Sequence, residues 1–246
     1  MTDIAPDTER NREAWNAGRY DLWVAGVGTP AEEAARIRAN PAHIARRIVP
    51  HLGELAGLRV CQLQGSHGRI ATGLALMGAK PTVIDFAEEN ARYATELAAA
   101  AGVAIDYHVS DVMQAPALRL APFDALILEL GVFHYHQGLR AFFEVVAGLT
   151  RTGGRLVIAE FHPVRQKLFH APRDYFRTTL IEGAAPSPVP GGPELGTCIY
   201  RHWTLAEIVQ TTIDVGFRID TFQEHPDWDD PTIPGTFTLV GVKTGG

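Results

Sequence analysis

The strongest constraint on the fold of this chain is a regular alternation of short apolar runs and helical stretches between residues 58 and 160. The apolar runs, such as ALILEL and RLVIAE, are nearly continuous, which is typical of parallel strands that are covered on both faces. The alternation therefore predicts βαβ units. The predicted strands are residues 58–64, 82–85, 105–108, 124–130 and 155–161, and the predicted helices between them are residues 67–77, 88–101 and 139–149.

The chain after residue 203 predicts one further helix and a closing pair of strands. Thr204 and Glu207 have the spacing of a capping box, the segment LAEIVQTTIDV has helical periodicity, and Gly216 supplies a left-handed stop. The apolar runs FRIDTF and FTLVGV follow, joined by a polar loop that is rich in proline. We expect these two runs to pair as antiparallel strands that close the sheet.

Two segments lie outside this alternation. Residues 1–50 carry aromatic side chains among polar ones and a helical stretch over residues 30–48, so they predict a helical cover. Residues 162–203 are rich in proline, glycine and aromatics, and they follow a strand at the edge where open α/β sheets bind ligands. A loop of this length in a compact domain is usually functional, so we expect a lid. Residues 1–246 are predicted to form a single domain with these two additions.

Composition narrows the classes of function. The chain has 22 Lys and Arg against 28 Asp and Glu in 246 residues, which gives a formal net charge of −6 at pH 7. Nucleic-acid binding normally needs a basic face, so we expect no nucleic-acid partner. No apolar run approaches the roughly 18 residues that span a bilayer, and the N-terminus lacks a signal-peptide pattern, so we expect a cytoplasmic protein without a membrane partner. Cys61 and Cys198 are too few for a disulfide framework.

The turn after the first predicted strand carries the motif Gln64-Gly65-Ser66-His67-Gly68 at the start of a predicted helix. In such a turn, residues without a Cβ atom let the backbone approach a ligand closely. The segment VCQLQGSHGRIATGLALMGA resembles motif I of the class I S-adenosylmethionine (SAM)-dependent methyltransferases, with two of the three glycines of G-x-G-x-G replaced. The resemblance implies that Gln64, Gly65, Ser66 and Gly68 form the turn that holds the methionine part of the cofactor.

Acidic residues follow the next two predicted strands. Asp85 closes TVIDF, where an acid of such a fold accepts hydrogen bonds from the ribose hydroxyls, and Phe86 is expected to border the adenosine. Asp111 and Val112 follow IDYHV, where the resemblance places an acid on the adenine amino group and an apolar side chain against the ring. Each acid taken alone is also typical of a helix cap or a turn.

The fourth predicted strand ends in LILELGVFHYH. Glu129 lies in an otherwise apolar strand, where an unpaired buried carboxylate is costly, so we expect it to contact the cofactor or the pocket. The resemblance places His134 and Tyr135 beside the sulfonium methyl group and the acceptor. His134 and His136 form an H-x-H pattern, but no third ligand stands at metal-binding spacing, so we expect no metal.

The segments AEFHPVRQKLF and YRHWTLAEIVQ resemble a bacterial subgroup of small-molecule methyltransferases. His162 is expected to be the general base, ahead of His134, because residues after the fifth strand face the crevice across from the methionine end. The residues expected to bind the acceptor are Tyr20, Tyr135, Arg201, His202 and Trp203. The candidate cations for an anionic acceptor are Arg165, Arg173 and Arg201.

We therefore expect an α/β fold with a Rossmann-like, seven-stranded methyltransferase sheet, with helices on both faces. The resemblance implies the strand order 3-2-1-4-5-7-6, mostly parallel with an antiparallel last strand. The expected function is SAM-dependent methyl transfer to an O, N or activated C atom of a small molecule, by a monomer or homodimer.

Three alternatives stay open: a degenerate cofactor-binding interaction subunit without turnover, a SAM-dependent reaction without methylation such as an isomerisation, and an NAD(P)-dependent Rossmann oxidoreductase. The oxidoreductase is disfavoured because the C-terminal helix–strand–strand pattern fits the methyltransferase sheet and no Tyr-x-x-x-Lys pair is present.

Overall fold

The computed structural model describes residues 6–169 and 173–245. The helices of this part of the chain are α1 (Pro6–Asn16), α2 (Arg19–Val27), α3 (Pro30–Ala39), α4 (Pro41–Ile44), α5 (Arg69–Leu76), α6 (Glu88–Ala101), α7 (Leu139–Leu149), α8 (Pro163–Leu168) and α9 (Leu205–Asp214). Shorter 3₁₀ turns are Val49–His51, Val112–Leu118 and Phe133–Tyr135. None of the helices in these residues has the length and apolar character that crossing a membrane requires.

The strands are β1 (Arg59–Leu63), β2 (Lys80–Asp85), β3 (Asp106–Val109), β4 (Phe123–Glu129), β5 (Thr150–Phe161), β6 (Ile181–Ala184), β7 (Thr197–Tyr200), β8 (Phe217–Pro226) and β9 (Pro234–Lys243). Seven of them form one sheet in the order β3-β2-β1-β4-β5-β9-β8. The first five strands are parallel, and β9 pairs antiparallel with both β5 and β8. The predicted sheet order, with the last strand inserted antiparallel, is confirmed.

Alternate side chains of the central strands face two cores on opposite sides of the sheet. Leu126 of β4 lies in one core with Phe142 and Phe143 of α7. The next residue, Ile127, lies in the other core with Leu74 of α5. All five side chains are at most 1% exposed, as expected for parallel strands with a helix layer on each face.

The N-terminal segment consists of four helices, and the predicted helical stretch over residues 30–48 is interrupted. Helix α3 ends at Ala39, and α4 begins at Pro41. Proline has no N–H to donate and disfavours a helical conformation in the residue before it, so Asn40 leaves the helix with φ −156°. The Asn40 side chain then accepts the N–H of His43 and caps the next helix.

Residues 162–203 were expected to be a loop, and the described part of this insertion contains α8 and an antiparallel hairpin of β6 and β7. The hairpin packs against α1 of the N-terminal segment. Asn11 of α1 accepts the N–H of Ile199 at 2.7 Å and donates to the carbonyl of the same residue at 2.9 Å. The two segments that lie outside the sheet thus contact each other directly.

We expect Gly68→Ala to be much more destabilising than Gly102→Ala, although both glycines have nearly the same positive φ, 75° and 76°. A Cβ atom on Gly68 would lie 2.6 Å from the Cβ of Ala94 on α6, whereas one on Gly102 would meet no atom within 4 Å. The free energy of unfolding should fall by about 2–4 kcal/mol for Gly68→Ala and by about 1–2 kcal/mol for Gly102→Ala. Urea denaturation measures both, and equal losses would show that α5 does not need this close approach.

Candidate functional site

Two adjoining cavities open at the carboxyl ends of the parallel strands. The turn cavity, of about 360 Å³, lies between the ends of β1, β2 and β4 and the N-terminal helices. The insertion cavity, of about 450 Å³, lies between the segment after β4, helix α8 and the hairpin. The residues that line both cavities are Gly131, Tyr135, Phe161 and Pro186. A ligand in one cavity is therefore placed to contact a ligand in the other.

The turn after β1 forms one wall of the turn cavity. Gln64 and Ser66 stand at two expected glycine positions, and both have the left-handed backbone conformation that favours glycine, with φ 49° and 51°. The N–H of Gln64 donates to Ile84 O at 2.7 Å, and Tyr107 Oη donates to Ser66 O at 2.9 Å. Gly65 has no space for a side chain, because its Cβ would lie 2.8 Å from Val83.

Asp85 ends β2 and lines the turn cavity beside Phe86, as predicted for a cofactor site. Its Oδ2 accepts the N–H of Ser66 and its Oδ1 accepts the N–H of Ala87, both at 2.9 Å. Burial raises the pKa of this carboxyl group, and these hydrogen bonds oppose that rise. The Asn90 side chain also donates to this carboxylate. Since each carboxylate oxygen can accept two hydrogen bonds, Asp85 retains capacity for one more, from a ligand.

Glu129 ends β4 and also lines the turn cavity. Burial raises its pKa to about 7, although the positive charges of Arg69 and Arg47 oppose the rise. Arg69 lines the same cavity, and its Nε lies 2.5 Å from Oε1 of the buried Glu33 on α3. The carboxyl group of Glu129 therefore changes charge near neutral pH and would favour a cation placed beside it.

Aromatic side chains of the N-terminal segment cover the turn cavity. Trp15 of α1 and Trp23 of α2 line it, and Trp23 stacks on His67 with 4.0 Å between the ring centroids. Burial lowers the pKa of His67 to about 3, so the imidazole is neutral at physiological pH. We did not predict these residues as part of the site. The only available signal was the presence of tryptophans in an otherwise polar cover.

Several predicted site residues lie outside both cavities. Asp111 accepts the N–H of Met113 at 3.0 Å and begins a 3₁₀ turn, and Val112 is 1% exposed in the core. Tyr20 was expected to bind the acceptor, but its hydroxyl donates to Glu96 and its ring lies under the Arg92 guanidinium. Tyr20 therefore belongs to the contact between α2 and α6. Gly68, at the start of α5, likewise serves the packing of α5 on α6.

His162 does not face the cavities, contrary to its expected role as general base. Its Nδ1 accepts the N–H of Val164 at 3.1 Å and caps α8, and its Nε2 lies 2.9 Å from Glu224 Oε1 on β8. Burial lowers its pKa, and Glu224 opposes this shift. Both ring nitrogens thus face protein groups. The turn before Pro163 directs the imidazole to the start of α8.

Glu160, at the end of β5, is a buried carboxylate that we did not predict. It accepts the N–H groups of Gly131 at 2.6 Å, Val132 at 3.0 Å and Phe161 at 2.7 Å. Burial raises its pKa to about 7, and these hydrogen bonds oppose the rise. Its signal in the sequence was a carboxylate at the end of the apolar run RLVIAE. This interaction fixes the segment after β4 that separates the two cavities.

His134, the second predicted base, lines the insertion cavity. Its Nδ1 lies 3.2 Å from the carbonyl oxygen of Arg201, and because a carbonyl only accepts, Nδ1 carries the proton. Its Nε2 makes no hydrogen bond within the described part of the chain and lies 3.9 Å from Glu160 Oε1. Burial lowers the pKa of His134 to about 3, so the ring is neutral with a lone pair on Nε2.

Of residues 201–203, which precede the N-cap of α9, only one lines the insertion cavity. His202, which we expect to bind the acceptor, lines the insertion cavity. Arg201 and Trp203 do not, because the Arg201 guanidinium stacks on the Trp203 ring at 3.7 Å and pairs with Glu207 at 2.6 Å. Trp203 Nε1 donates to the carbonyl of Phe133 at 3.2 Å. These two side chains stabilise the start of α9 rather than contact an acceptor.

Comparison with known proteins gives a match to one family model. Residues 60–154 match the model described as a methyltransferase domain. The chain is 32% identical over 105 residues to the ubiquinone biosynthesis O-methyltransferase of Methylocella silvestris, across 43% of this chain and 40% of that protein. The chain thus matches about two fifths of the length of this curated relative.

Two solved structures share the fold across most of the chain. The magnesium protoporphyrin IX methyltransferase from Synechocystis PCC 6803 with bound SAM has a TM-score of 0.62 at 19% identity, covering 99% of this chain and 100% of that one. An S-adenosylmethionine-dependent methyltransferase from Clostridium acetobutylicum has a TM-score of 0.63 at 13% identity, covering 85% of this chain and 95% of that one. At these identities the likeness concerns the fold alone.

The capping role of His162 predicts a loss of stability on substitution. His162→Ala should lower the free energy of unfolding by about 1 kcal/mol, because the Val164 N–H loses its acceptor. His162→Asn should retain most of the stability, since asparagine is a preferred N-cap residue. Urea denaturation at neutral pH compares the three proteins. If the asparagine variant loses as much stability as the alanine variant, capping is not what His162 contributes.

Proposed function

We propose that the chain is a class I SAM-dependent methyltransferase, which transfers a methyl group from SAM to an O, N or activated C atom of a small molecule. The observation that carries the proposal is the junction of the two cavities at four shared residues. A cofactor in the turn cavity and an acceptor in the insertion cavity would meet there. Transfer then depends mainly on alignment and on the exclusion of water.

The cofactor is proposed to lie along the ends of β1, β2 and β4. Asp85 would accept a hydrogen bond from the ribose with its remaining lone pair, and Phe86 would border the adenosine. Glu129 would face the positively charged methionine end, where an ionised carboxylate is favourable. When bound, SAM supplies a methyl group on a sulfonium, which is already activated for displacement. The residues proposed to hold it are Gln64, Gly65, Ser66, Asp85, Phe86 and Glu129.

His134 is proposed as the general base in place of His162. The bond from Nδ1–H to Arg201 O leaves the lone pair on Nε2. An acceptor hydroxyl or amine that gives its proton to Nε2 converts His134 into an imidazolium. The carboxylate of Glu160, 3.9 Å away, stabilises that charge once it is ionised. Burial gives His134 a pKa of about 3, which makes it a weak base. Glu160 has a pKa of about 7, and its ionised form would make protonation of His134 more favourable.

Binding of S-adenosylhomocysteine is expected to depend on pH through Glu129. In the free protein this carboxyl group has a pKa of about 7. A bound ammonium group lowers that pKa, so affinity rises with pH up to about 7 and is constant above it. At about pH 6, one pH unit below the pKa, the dissociation constant should be about tenfold larger than at pH 8. Titration calorimetry in two buffers measures both the affinity and the proton released.

The control for this measurement is Glu129→Gln, which removes the ionisable group and should bind S-adenosylhomocysteine equally at both pH values. A pH-independent affinity in the unmodified protein would exclude contact between Glu129 and the ligand cation. No binding of S-adenosylhomocysteine at any pH would contradict the proposed function itself.

His134→Gln is expected to lower the single-turnover rate of methyl transfer about 10²–10⁴-fold at neutral pH, with little change in affinity for S-adenosylhomocysteine. The rate of the unmodified protein should rise with pH around 7, because only ionised Glu160 stabilises the imidazolium. Glu160→Gln should remove that rise. Labelled SAM with a library of small-molecule nucleophiles provides the assay. Binding of S-adenosylhomocysteine without transfer to any acceptor would favour the degenerate-subunit alternative.

A further inference from the structure

We propose that the insertion cavity is built for an acceptor that carries a single carboxylate, held by Lys167 and Arg177. The inference rests on the proposed function, because it names the class of acceptor that the same site takes. The inference depends on which charged side chains line the insertion cavity and on the groups to which they are hydrogen-bonded.

Lys167 is a buried cation in that wall. It lies on α8, is 5% exposed, and donates from Nζ to the carbonyl oxygens of Arg177 at 2.7 Å and His202 at 3.0 Å. An ammonium group has three N–H donors, so one remains for a ligand. In residues 6–169 and 173–245, no carboxylate forms an ion pair with Nζ. The charges of Glu207 and Asp174 act on Nζ without a direct ion pair. A buried cation without a carboxylate in direct contact is costly, and a ligand carboxylate would compensate that cost.

Arg177 adds a second cation to the same wall. Its Nε donates to Thr179 Oγ1 at 2.6 Å. Its backbone carbonyl accepts a hydrogen bond from Lys167 Nζ, so the two cationic residues are directly linked. Asp174 also lines the cavity, and its Oδ1 accepts the N–H of Phe176. Two cations and one carboxylate leave one positive charge in the wall. This excess matches a carboxylate better than a doubly charged phosphate.

Aromatic side chains form part of the remaining walls. Tyr135, Phe161 and Tyr200 line the insertion cavity, and His202 lies edge-on to His134 with 5.4 Å between the ring centroids. Flat organic groups pack favourably against such rings. The backbone bond from Lys167 to His202 connects the proposed anion site to the imidazole pair. We therefore infer a planar organic acid with its nucleophilic atom directed toward His134.

The cations that we predicted for an anionic acceptor have other positions. Arg165 pairs with Asp227 at 2.5 Å and with Asp229 at 3.2 Å, and Arg201 is engaged by α9. Arg173 is exposed and is not among the residues that line the cavity. Arg173 is therefore a matched control for Arg177, since both cations lie in the insertion and only one lines the cavity.

The test compares four organic acids with their neutral amides as ligands of the protein saturated with S-adenosylhomocysteine. The acids are benzoate, 4-hydroxybenzoate, phenylacetate and 3-phenylpropionate, and ligand-observed NMR measures each dissociation constant. We expect at least one acid to bind about tenfold to a hundredfold more tightly than its amide, the usual range for a charge-assisted hydrogen bond. Lys167→Met and Arg177→Met should each reduce this preference to less than about threefold. Arg173→Met should leave it unchanged.

Lys167→Arg keeps the charge and should retain a preference for the acid, which separates a charge effect from a folding defect in Lys167→Met. The proposal is overturned if no acid is preferred over its amide, including the case in which none binds. It is also overturned if the preference survives both methionine variants, or if Arg173→Met abolishes it. Affinity for S-adenosylhomocysteine is measured separately on each protein, so failure of the cofactor proposal is distinguished from failure of this one.

Discussion

Backbone N–H groups at the ends of buried parallel strands need acceptors, and two buried carboxylates meet this need. Asp85 binds the turn after β1, and Glu160 binds the segment after β4. An unpaired N–H in such a place costs about 1–3 kcal/mol, so each carboxylate fixes the course of the chain where it leaves the sheet. The turn cavity and the junction between the two cavities both depend on these bonds. The carboxylates are therefore structural before they contact any ligand.

A buried cation performs the corresponding task between the two segments outside the sheet. Arg19 is 0% exposed, its guanidinium lies 4.3 Å from the centre of the Trp15 ring, and it donates to the carbonyl of Pro186 in the insertion. Trp15 and Pro186 both line the turn cavity. The N-terminal segment and the insertion are thus connected across the opening of that cavity. This contact therefore helps to cover the turn cavity.

The parallel strands and the helices between them were predictable because apolar periodicity reports burial, whereas the order of the strands in the sheet followed from the resemblance of the turn after β1 to a known family. The positions of Asp85 and Glu129 at a cavity wall could be predicted for a related reason. A carboxylate at the end of an apolar strand is costly to bury without a partner, so it is expected to face a cavity or a ligand. The pairing of His162 with Glu224 could not be predicted, because it joins β8 to a turn 62 residues earlier in the chain. Lys167 was missed because a lysine on a short helix has no distinguishing pattern until its burial is known.

The altered turn after β1 bears on whether the site is degenerate. The motif glycine is retained at Gly68, and glycine also stands between the two replaced positions at Gly65; a Cβ atom would lie 2.6 Å from Ala94 at Gly68 and 2.8 Å from Val83 at Gly65. Glycine is replaced at Gln64 and Ser66, where only the left-handed φ favours glycine, at a cost of about 1–2 kcal/mol per residue. Such strain persists only where surrounding contacts enforce it, and it concentrates at functional sites. The hydrogen bonds to both residues enforce the turn here, so the substitutions reduce stability while the shape of the cofactor wall is kept. That outcome argues for a working site over a degenerate one.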